Sequence, residues 1–348
     1  MRPVHIEKSL IGSGRTYVIA EIGSNHNQDL GLAKELIDAA ADAGVDAVKF
    51  QAFRAVTHYS RHAPDFSYLK KQKFTRSTYD LIASLEINPA WHASLMKHAR
   101  KRKVAFLSSP CDAASVDQLG RLGMPAFKLA SFDLPDLTLI RHMARYGRPL
   151  IFSTGMASYS DIERAIAAAR EKRYIPIVLL QCTSLYPAPV ELSNLHAMRQ
   201  MAQAFDVPVG YSDHTMGEHI CLAAVALGAC MLEKHFTLNR KMKGPDHSFA
   251  IEPDELKAMV GHVRDVETAR GDGLKNGPRP AEMEMFKKGR RSLHVTRSLR
   301  AGDAVGTRDL CIKRPGLGIP PFQLESVVGL RLTRDVEADH WLTWEDFK

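Results

Sequence analysis

Short apolar runs alternate with longer amphipathic segments from residue 17 to residue 235. Each run has the length of a strand that is buried on both faces, because polar residues are scarce until its end. The eight runs are residues 17–22, 46–50, 104–108, 126–130, 149–153, 177–181, 208–211 and 230–235. The pattern therefore predicts eight buried strands.

Helical patterns follow most of these runs. Residues 30–44 have apolar positions at helix spacing and end in Gly44, which is a typical helix stop. Residues 157–172 begin with a candidate helix cap at Ser158 or Ser160. Strands that alternate with helices in this way predict an α/β fold, namely a (β/α)₈ TIM barrel. A doubly wound open sheet is the alternative, but no G-x-G-x-x-G motif follows the first run.

The character of the chain changes after the predicted barrel, which we assign to residues 1–275. Residues 276–288 belong to a stretch rich in Gly, Pro and charge, as linkers are. Residues 289–348 then form a second, smaller region. We predict a small β-rich domain there, of about 60 residues, which is near the lower limit for folding without a packing partner.

A weak internal repeat lies in this second region, between residues 298–310 and residues 335–347. Five positions of the first segment match five of the second. The first five are Leu299, Ala301, Val305, Asp309 and Leu310, and their counterparts are Val336, Ala338, Leu342, Asp346 and Phe347. The repeat predicts a pseudo-symmetric module in which a turn, a strand and a short helical turn occur twice.

The chain carries a formal net charge of +8, which favours anionic ligands. Its basic residues are spread along the sequence. The cluster at 97–103 contains no aromatic residues, so we interpret it as the solvated end of a helix and expect no nucleic-acid partner.

Five scattered cysteines, none in a C-x-x-C pair, indicate a reducing compartment. The N-terminus lacks the apolar region of a signal peptide. The longest apolar stretch, 221–232, is far shorter than the roughly 20 residues that a membrane span needs. We therefore expect a cytoplasmic protein without a membrane partner.

Polar residues stand at the end of every predicted strand, where the active sites of (β/α)₈ barrels lie. Lys49 and Lys128 fall on interior strands, where a cation is costly unless it is paired with an anion. Together with Ser131, Ser153 and Ser212 they suit a phosphate and a carboxylate. Alternatively, each lysine reaches solvent or pairs with a neighbouring carboxylate.

His214 and His235 end the last two runs. Two imidazoles from neighbouring strands would form an open site for Mn²⁺, Mg²⁺ or Co²⁺, with positions left for water and substrate. Either histidine could instead be a hydrogen-bonded structural residue. Tyr186 and Asp213 could equally be polar residues of the rim.

Nine segments in order resemble the sialic acid synthase family. They are AEIGSNHN (20–27), VKFQ (48–51), FLSSPCD (106–112), FKLAS (127–131), STGM (153–156), QCTSLYP (181–187), GYSDHT (210–215), EKHFTLNR (233–240) and GPDHSFAIEP (244–253). The tail, with KRPGLGI at 313–319, is similar to the antifreeze-like (SAF) domain that ends family members. The resemblance covers nearly the whole chain.

The resemblance implies a transferase that condenses phosphoenolpyruvate with N-acetylmannosamine. The products would be N-acetylneuraminate and phosphate, released by C–O cleavage. It also implies a domain-swapped homodimer, in which the tail of one subunit caps the barrel of the other. A divalent metal is the implied cofactor, with Mn²⁺ preferred and Mg²⁺ or Co²⁺ as alternatives.

Roles for individual residues follow from the same resemblance. The implied catalytic residues are Glu21, as general acid or base, with Lys49, Lys128 and Glu233. The implied substrate contacts are Gln51, Ser131, Ser153, Tyr186, Ser212, Asp246 and Arg314. Of these, Arg314 would reach the N-acyl group across the dimer. His214 and His235 would bind the metal.

The sequence departs from the family pattern at a few positions. Ser109 and Cys111 stand where Thr and Phe are common, Asn239 where Asp is common, and Gln28 where Gly is common. None of these changes removes a proposed ligand. The stretch 54–80 varies within the family and indicates no particular substrate contact.

Three other functions are compatible with parts of the sequence. The first is a legionaminate or pseudaminate synthase that uses a diacetylated deoxyhexose, although the GPDH and GSNH stretches favour the neuraminate type over the pseudaminate type. The second is a 3-deoxy sugar-acid phosphate synthase, whose tail differs. The third is a non-catalytic carbohydrate-binding or ice-binding protein, which would not need lysines and histidines at its strand ends.

Overall fold

Twelve strands are present in the computed structural model, which describes residues 2–64 and 77–347. The strands are β1 Val4–Ile6, β2 Ser9–Ile11, β3 Tyr17–Gly23, β4 Ala47–Ala52, β5 Ala105–Pro110, β6 Phe127–Leu129, β7 Leu150–Ser153, β8 Ile177–Cys182, β9 Val209–Asp213, β10 Met231–His235, β11 Ser292–Val295 and β12 Leu310–Lys313. Part of the variable stretch 54–80, namely residues 65–76, lies outside the described residues.

The α-helices of the described residues run between and after these strands. They are α1 Leu30–Asp42, α2 Ala55–His58, α3 Thr78–Ala83, α4 His92–Lys101, α5 Ala113–Arg121, α6 Leu137–Ala144, α7 Tyr159–Arg170, α8 His196–Phe205, α9 His219–Ala226, α10 Pro253–Ala269, α11 Met283–Gly289 and α12 Leu324–Val327. Among them, none has both the length and the apolar character of a membrane-spanning helix.

Strands β3 to β10 form a closed parallel barrel, and each of them matches one of the eight predicted runs. The last strand, β10, pairs with the first, β3, so that His235 lies opposite Glu21. The predicted (β/α)₈ barrel is confirmed. The alternative of an open, doubly wound sheet is wrong, because pairing of β10 with β3 leaves this sheet without an edge.

Local signals in the sequence begin and end the helices as predicted. Ser158 caps the start of helix α7, because its side chain accepts a hydrogen bond from the backbone N–H of Asp161. In turn, the carboxylate of Asp161 accepts a hydrogen bond from the backbone N–H of Ser158. After α1 the chain turns at Gly44, whose φ of +86° is a conformation that glycine adopts at little cost. The basic cluster 97–103 is the end of α4, as expected.

The lower part of the barrel interior is apolar. Side chains such as Ile19, Leu107 and Val178 form one cluster there with Val4 and Ile11 of the β1–β2 hairpin. The hairpin thus packs against the amino-terminal end of the barrel. Polar side chains are confined to the opposite end, so burial of the apolar layer anchors the strands that carry them.

The chain divides into two units, Met1–Gly271 and Asp272–Lys348. The predicted linker, 276–288, overlaps α11, which lies in the second unit. This unit has a hydrophobic core of its own, which includes Leu293, Val305 and Leu342.

The internal repeat of the second unit is a reciprocal pairing of its two segments. Leu299 and Val336 exchange backbone hydrogen bonds of 2.9 and 2.8 Å. The backbone N–H of Ala301 donates to Asp335, and that of Ala338 donates to Ser298. These residue pairs occupy equivalent positions in the two repeats, so the predicted pseudo-symmetry is confirmed.

Beyond β3, His26 is buried among the rings of Phe50 and Trp91. Its Nδ1 accepts a hydrogen bond from the backbone N–H of Gln28, while its Nε2 is buried without a hydrogen-bond partner. Burial, helped by the nearby His92, lowers the pKa of His26 from 6.5 to about 4. The folded protein therefore takes up this proton at lower pH than the unfolded chain does.

We expect His26 to make the folded state less stable in mild acid. Because its pKa is lowered, neutral His26 makes its full contribution to the stability of the folded state above pH 6.5. That contribution is lost as the pH falls towards 4. Between pH 7 and pH 5 the loss is about 2 kcal/mol of the free energy of unfolding. Denaturant titrations at several pH values measure it. His26→Gln should flatten the pH dependence, whereas His196→Gln, at an exposed position, should not. Equal slopes in wild type and His26→Gln would contradict the assignment.

Candidate active site

A cavity of about 470 Å³ opens at the carboxyl ends of the barrel strands. All twelve site residues predicted within the barrel line it. They are Glu21, Lys49, Gln51, Lys128, Ser131, Ser153, Tyr186, Ser212, His214, Glu233, His235 and Asp246. The thirteenth, Arg314, is an exposed residue of the second unit.

Lys49 is the centre of a hydrogen-bonded charge network inside the cavity. Its Nζ lies 2.7 Å from Oε2 of Glu21 and donates to Oγ of Ser109 at 3.2 Å. The other oxygen of Glu21 accepts a hydrogen bond of 2.7 Å from Gln51. Strands β3 and β4 pair Glu21 directly with Lys49, so neighbouring strands place the two charges together.

Glu233 connects this network to the second lysine. Its Oε1 lies 3.8 Å from Nζ of both Lys49 and Lys128, and it accepts a hydrogen bond of 3.2 Å from Ser212. Its second oxygen, Oε2, is buried without a hydrogen-bond partner. Both lysines therefore lie next to carboxylates, as the alternative of lysine–carboxylate pairs expected. The alternative of lysines that reach solvent is wrong, because both are almost fully buried.

Burial and mutual attraction pull the pKa values of these four groups in opposite directions. Burial raises the pKa of Glu21, and the attraction of Lys49 offsets only part of that. Burial alone would raise the pKa of Glu233, but the charges of Lys128 and Lys49 outweigh burial and hold this pKa below its ordinary value. Burial lowers the pKa of Lys128, whereas at Lys49 the two carboxylates outweigh burial and raise it. A lysine whose pKa is perturbed by burial and by charged neighbours in a cavity is a candidate functional group.

Serines at or just after the ends of β6, β7 and β8 border the same cavity, namely Ser131, Ser153 and Ser184. The hydroxyls of Ser131 and Ser184 lie 2.8 Å apart. A side chain at Gly155 could not fit between them, because its Cβ would lie 2.5 Å from both Ser131 Cβ and Ser184 Oγ. Gly155 also has a φ of +44°, which disfavours other residues. The glycine of the STGM segment therefore keeps this hydroxyl pair open to the cavity.

His214 and His235 lie side by side, with ring centroids 5.4 Å apart. Nδ1 of His214 donates to the carbonyl of Thr183 at 2.6 Å, which leaves its Nε2 as a free lone pair. Nδ1 of His235 is buried without a hydrogen-bond partner. Burial lowers the pKa of both, which favours the neutral imidazole, the form that binds metals. The pair fits an open divalent-metal site.

Tyr186 and Asp246 complete the wall beside the histidines. The ring centroids of Tyr186 and His214 are 4.4 Å apart. Oδ2 of Asp246 lies 3.9 Å from Nδ1 of His235. Burial, reinforced by the charge of Glu21, raises the pKa of Asp246 to about 7. This carboxyl group can therefore donate or accept a proton near neutral pH.

Asp213 lies outside this site. Its carboxylate accepts a hydrogen bond of 2.6 Å from Lys234 and others from Thr215, all fully buried behind the barrel wall. The interpretation of Asp213 as a polar residue of the rim is therefore wrong. Side chains alternate along a strand, so Ser212 and Glu233 face the cavity while Asp213 and Lys234 face the helices.

Several polar groups of the site have no role in the sequence-based prediction. They are the hydroxyls of Ser24, Ser109 and Ser184 and the carbonyl of Thr183, together with the side chains of His58 and Asp133. Ser24 and Thr183 directly follow β3 and β8, Ser184 is the next residue after Thr183, and Ser109 lies near the end of β5. Their places at strand ends are a signal that sequence reasoning could have used. His58 lies in the variable stretch, where no such signal exists.

The chain is similar to known enzymes along almost its whole length. The chain is 42% identical over 332 residues to the N,N'-diacetyllegionaminic acid synthase of Campylobacter jejuni, an alignment that covers 93% of this chain and 98% of that protein. It is 40% identical to the enzyme of the same name from Legionella pneumophila, with coverages of 96% and 95%.

Among solved structures, the N-acetylneuraminic acid synthetase of Leptospira borgpetersenii, in complex with citrate, is similar with a TM-score of 0.72 and 32% identity. The match covers 82% of this chain and 95% of that one. The SAF domain model matches residues 290–348, and the NeuB family model matches residues 36–275. The chain thus belongs to the NeuB family, the sialic acid synthases.

Proposed function

We propose that this protein condenses phosphoenolpyruvate with an N-acylated amino sugar and releases phosphate. The observation that carries the proposal is the buried pair Lys49 and Lys128 in one cavity with His214 and His235. Two cations at the base of a cavity suit the phosphate and carboxylate of phosphoenolpyruvate. A carbohydrate-binding protein without catalysis would gain nothing from these buried charges, which are costly to desolvate.

Each group in the cavity has a place in this reaction. Lys49 and Lys128, with the hydroxyls of Ser131, Ser153 and Ser212, hold phosphoenolpyruvate and offset the charge of the departing phosphate. Gln51, Tyr186 and Asp246 contact the open-chain sugar. A new carbon–carbon bond forms between C3 of phosphoenolpyruvate and the aldehyde carbon. Water then adds at C2, and the C–O bond to phosphate breaks.

Glu21 is the proposed proton carrier for the attacking water. Burial raises its pKa, so the carboxylate is more basic than an exposed glutamate. Gln51 and Lys49 fix both of its oxygens, which holds the group in one orientation. Glu233, between the two lysines, keeps Lys49 and Lys128 in place.

His214 and His235 are the proposed ligands of a divalent cation, with Mn²⁺ first and Mg²⁺ or Co²⁺ as alternatives. A cation bound there supplies Lewis-acid polarisation of the sugar aldehyde oxygen. The two neutral imidazoles provide its nitrogen ligands. The hydrogen bond from His214 to Thr183 orients the ring for that task.

For the sugar we propose a diacetylated deoxyhexose, the precursor type of legionaminate, in preference to the N-acetylmannosamine expected from the sequence. Two relatives at 42% and 40% identity carry the name N,N'-diacetyllegionaminic acid synthase. The cavity wall also offers apolar surface from Phe53, Ile82 and Leu85. Such a wall suits a methyl group better than a hydroxymethyl group.

The remaining expectations stay predictions. A domain-swapped homodimer, in which Arg314 contacts the N-acyl group in the partner's barrel, follows from the resemblance alone. A cytoplasmic location, expected from the scattered cysteines and the N-terminus, also stays a prediction, as does the absence of a nucleic-acid partner, expected from the spread of the basic residues.

A sugar panel tests the proposed substrate. With phosphoenolpyruvate and Mn²⁺ present, we expect kcat/KM for the diacetylated deoxyhexose to exceed that for N-acetylmannosamine by about 10–200-fold, the range that one small apolar contact region can provide. Phosphate release is the measurement. Reactions without sugar, or with a phosphorylated sugar, are the controls. The reverse preference would assign a neuraminate synthase, and no release with any free sugar would refute the condensation.

Replacing the proposed proton carrier tests its role. Glu21→Gln keeps the shape and removes the basic oxygen, so kcat should fall by roughly 10²–10⁴-fold. Glu163→Gln, at an exposed position of α7, is the matched control and should leave kcat unchanged. Thermal unfolding checks that both variants fold. A kcat of Glu21→Gln close to that of wild type would assign the proton transfer to another group.

Chelation tests the proposed metal ligands. EDTA should abolish turnover, and Mn²⁺ should restore it in wild type and in the exposed-site control His196→Ala. In His235→Ala, Mn²⁺ should neither restore turnover nor bind at stoichiometric concentration, as measured by the paramagnetic resonance of free Mn²⁺. Full activity of metal-stripped protein would rule out the metal role, and tight binding by His235→Ala would move the site elsewhere.

A further inference from the structure

Three loops bring His58, Cys111 and Asp133 together at the same cavity. His58 is the last residue of α2, which follows β4. Cys111 directly follows β5, and Asp133 ends the 3₁₀ turn that follows β6. Within the parts of the chain that the structure describes, no other group of three His, Cys, Asp or Glu residues has all its ligand atoms within 4.8 Å of one another.

The distances in this cluster are close to those of a tetrahedral metal site. Sγ of Cys111 lies 3.7 Å from Oδ2 of Asp133, and Nε2 of His58 lies 3.8 Å from Oδ1 of Asp133. Ligand atoms about 2.0–2.3 Å from one tetrahedral ion are about 3.3–3.8 Å apart. Small side-chain movements would therefore place all three around one cation.

The types of the three ligands indicate which cation fits. A thiol, an imidazole and a carboxylate form a mixed set, and thiolate selects Zn²⁺ over Mg²⁺ or Mn²⁺. Three protein ligands leave a fourth position open towards the cavity. The cluster thus differs from the two-imidazole pair of His214 and His235, which contains no thiolate.

Charge also favours a cation at this position. Asp133 and Cys111 are partly buried, and burial together with the negative charge of Asp133 raises the pKa of the Cys111 thiol. Lys49, whose charge acts on the thiol, is already paired with Glu21 at 2.7 Å, and Lys128, whose charge acts on Asp133, lies 3.8 Å from Glu233. A divalent ion could therefore displace the thiol proton and bind without an unbalanced neighbouring charge.

We propose that His58, Cys111 and Asp133 form a second metal site, which binds a thiophilic divalent cation such as Zn²⁺. The site borders the cavity that holds the proposed substrates, on the side of the β4, β5 and β6 loops. Its existence does not depend on the proposed reaction, because the three side chains alone define it.

Cobalt spectroscopy on the metal-stripped, full-length protein tests this proposal. Co²⁺ bound to a thiolate gives a near-ultraviolet charge-transfer band, and Zn²⁺ should displace it. Cys111→Ser should abolish the band, while the matched control Cys311→Ser, at the other partly buried cysteine, should keep it. Asp133→Asn retains the thiol and should weaken Co²⁺ binding by at least about tenfold, the lower end of what loss of a supporting partner costs.

Two further variants separate this site from the histidine pair. His214→Ala should keep the band if the cation sits at Cys111. Cys182 also lines the cavity, so Cys182→Ser should keep the band as well. No band in wild type, or a band that survives Cys111→Ser but is lost in Cys182→Ser, would overturn the proposal. If Cys111→Ser does not fold, an unweakened band in both Asp133→Asn and His58→Ala would overturn it instead.

Discussion

The balance of four buried charges is the constraint on which the site depends. Glu21 and Glu233 are both within 4 Å of a lysine, and all four side chains are almost fully buried. Removing one member would leave an uncompensated charge in a medium where charges are poorly solvated. The network is therefore a feature of the fold, and it is also what would let the proposed anionic substrate bind deep in the barrel beside two cations.

The barrel could be predicted from sequence because strands buried on both faces appear as continuous apolar runs. All eight runs became barrel strands, and the polar residues at their ends converged on one cavity because parallel strands share one carboxyl edge. The β1–β2 hairpin was not predicted, since its three-residue strands are too short to show a period. The strand-end position of Thr183 was visible in the sequence, but its hydrogen bond with His214 was not, because loop conformation decides which groups pair.

Asp213 shows a different limit of sequence reasoning. We predicted Ser212 and His214 as site residues and interpreted Asp213 as a polar residue of the rim, yet only alternate side chains of a strand face the same way. The side chain of Asp213 faces the helix layer and accepts a hydrogen bond from Lys234, whereas the side chains of Ser212 and His214 face the cavity. Applying the two-residue period to the strand ends would have separated them. No comparable rule exists for His58 or Asp133, whose positions depend on loops and turns rather than on a strand.

Closure of the barrel has a consequence for how the protein matures. Glu21 and His235 face each other across the β3–β10 seam, although 214 residues separate them along the chain, as the difference of their numbers shows. At ribosomal rates of about 5–20 residues per second, His235 emerges roughly 10–40 s after Glu21. Until then Glu21 and Lys49 have no partners from β10. The candidate site is therefore complete only after β10 has been synthesised. A nascent chain that stops before β10 lacks Glu233 and His235, so it carries Lys49 and Lys128 with only Glu21 to balance them.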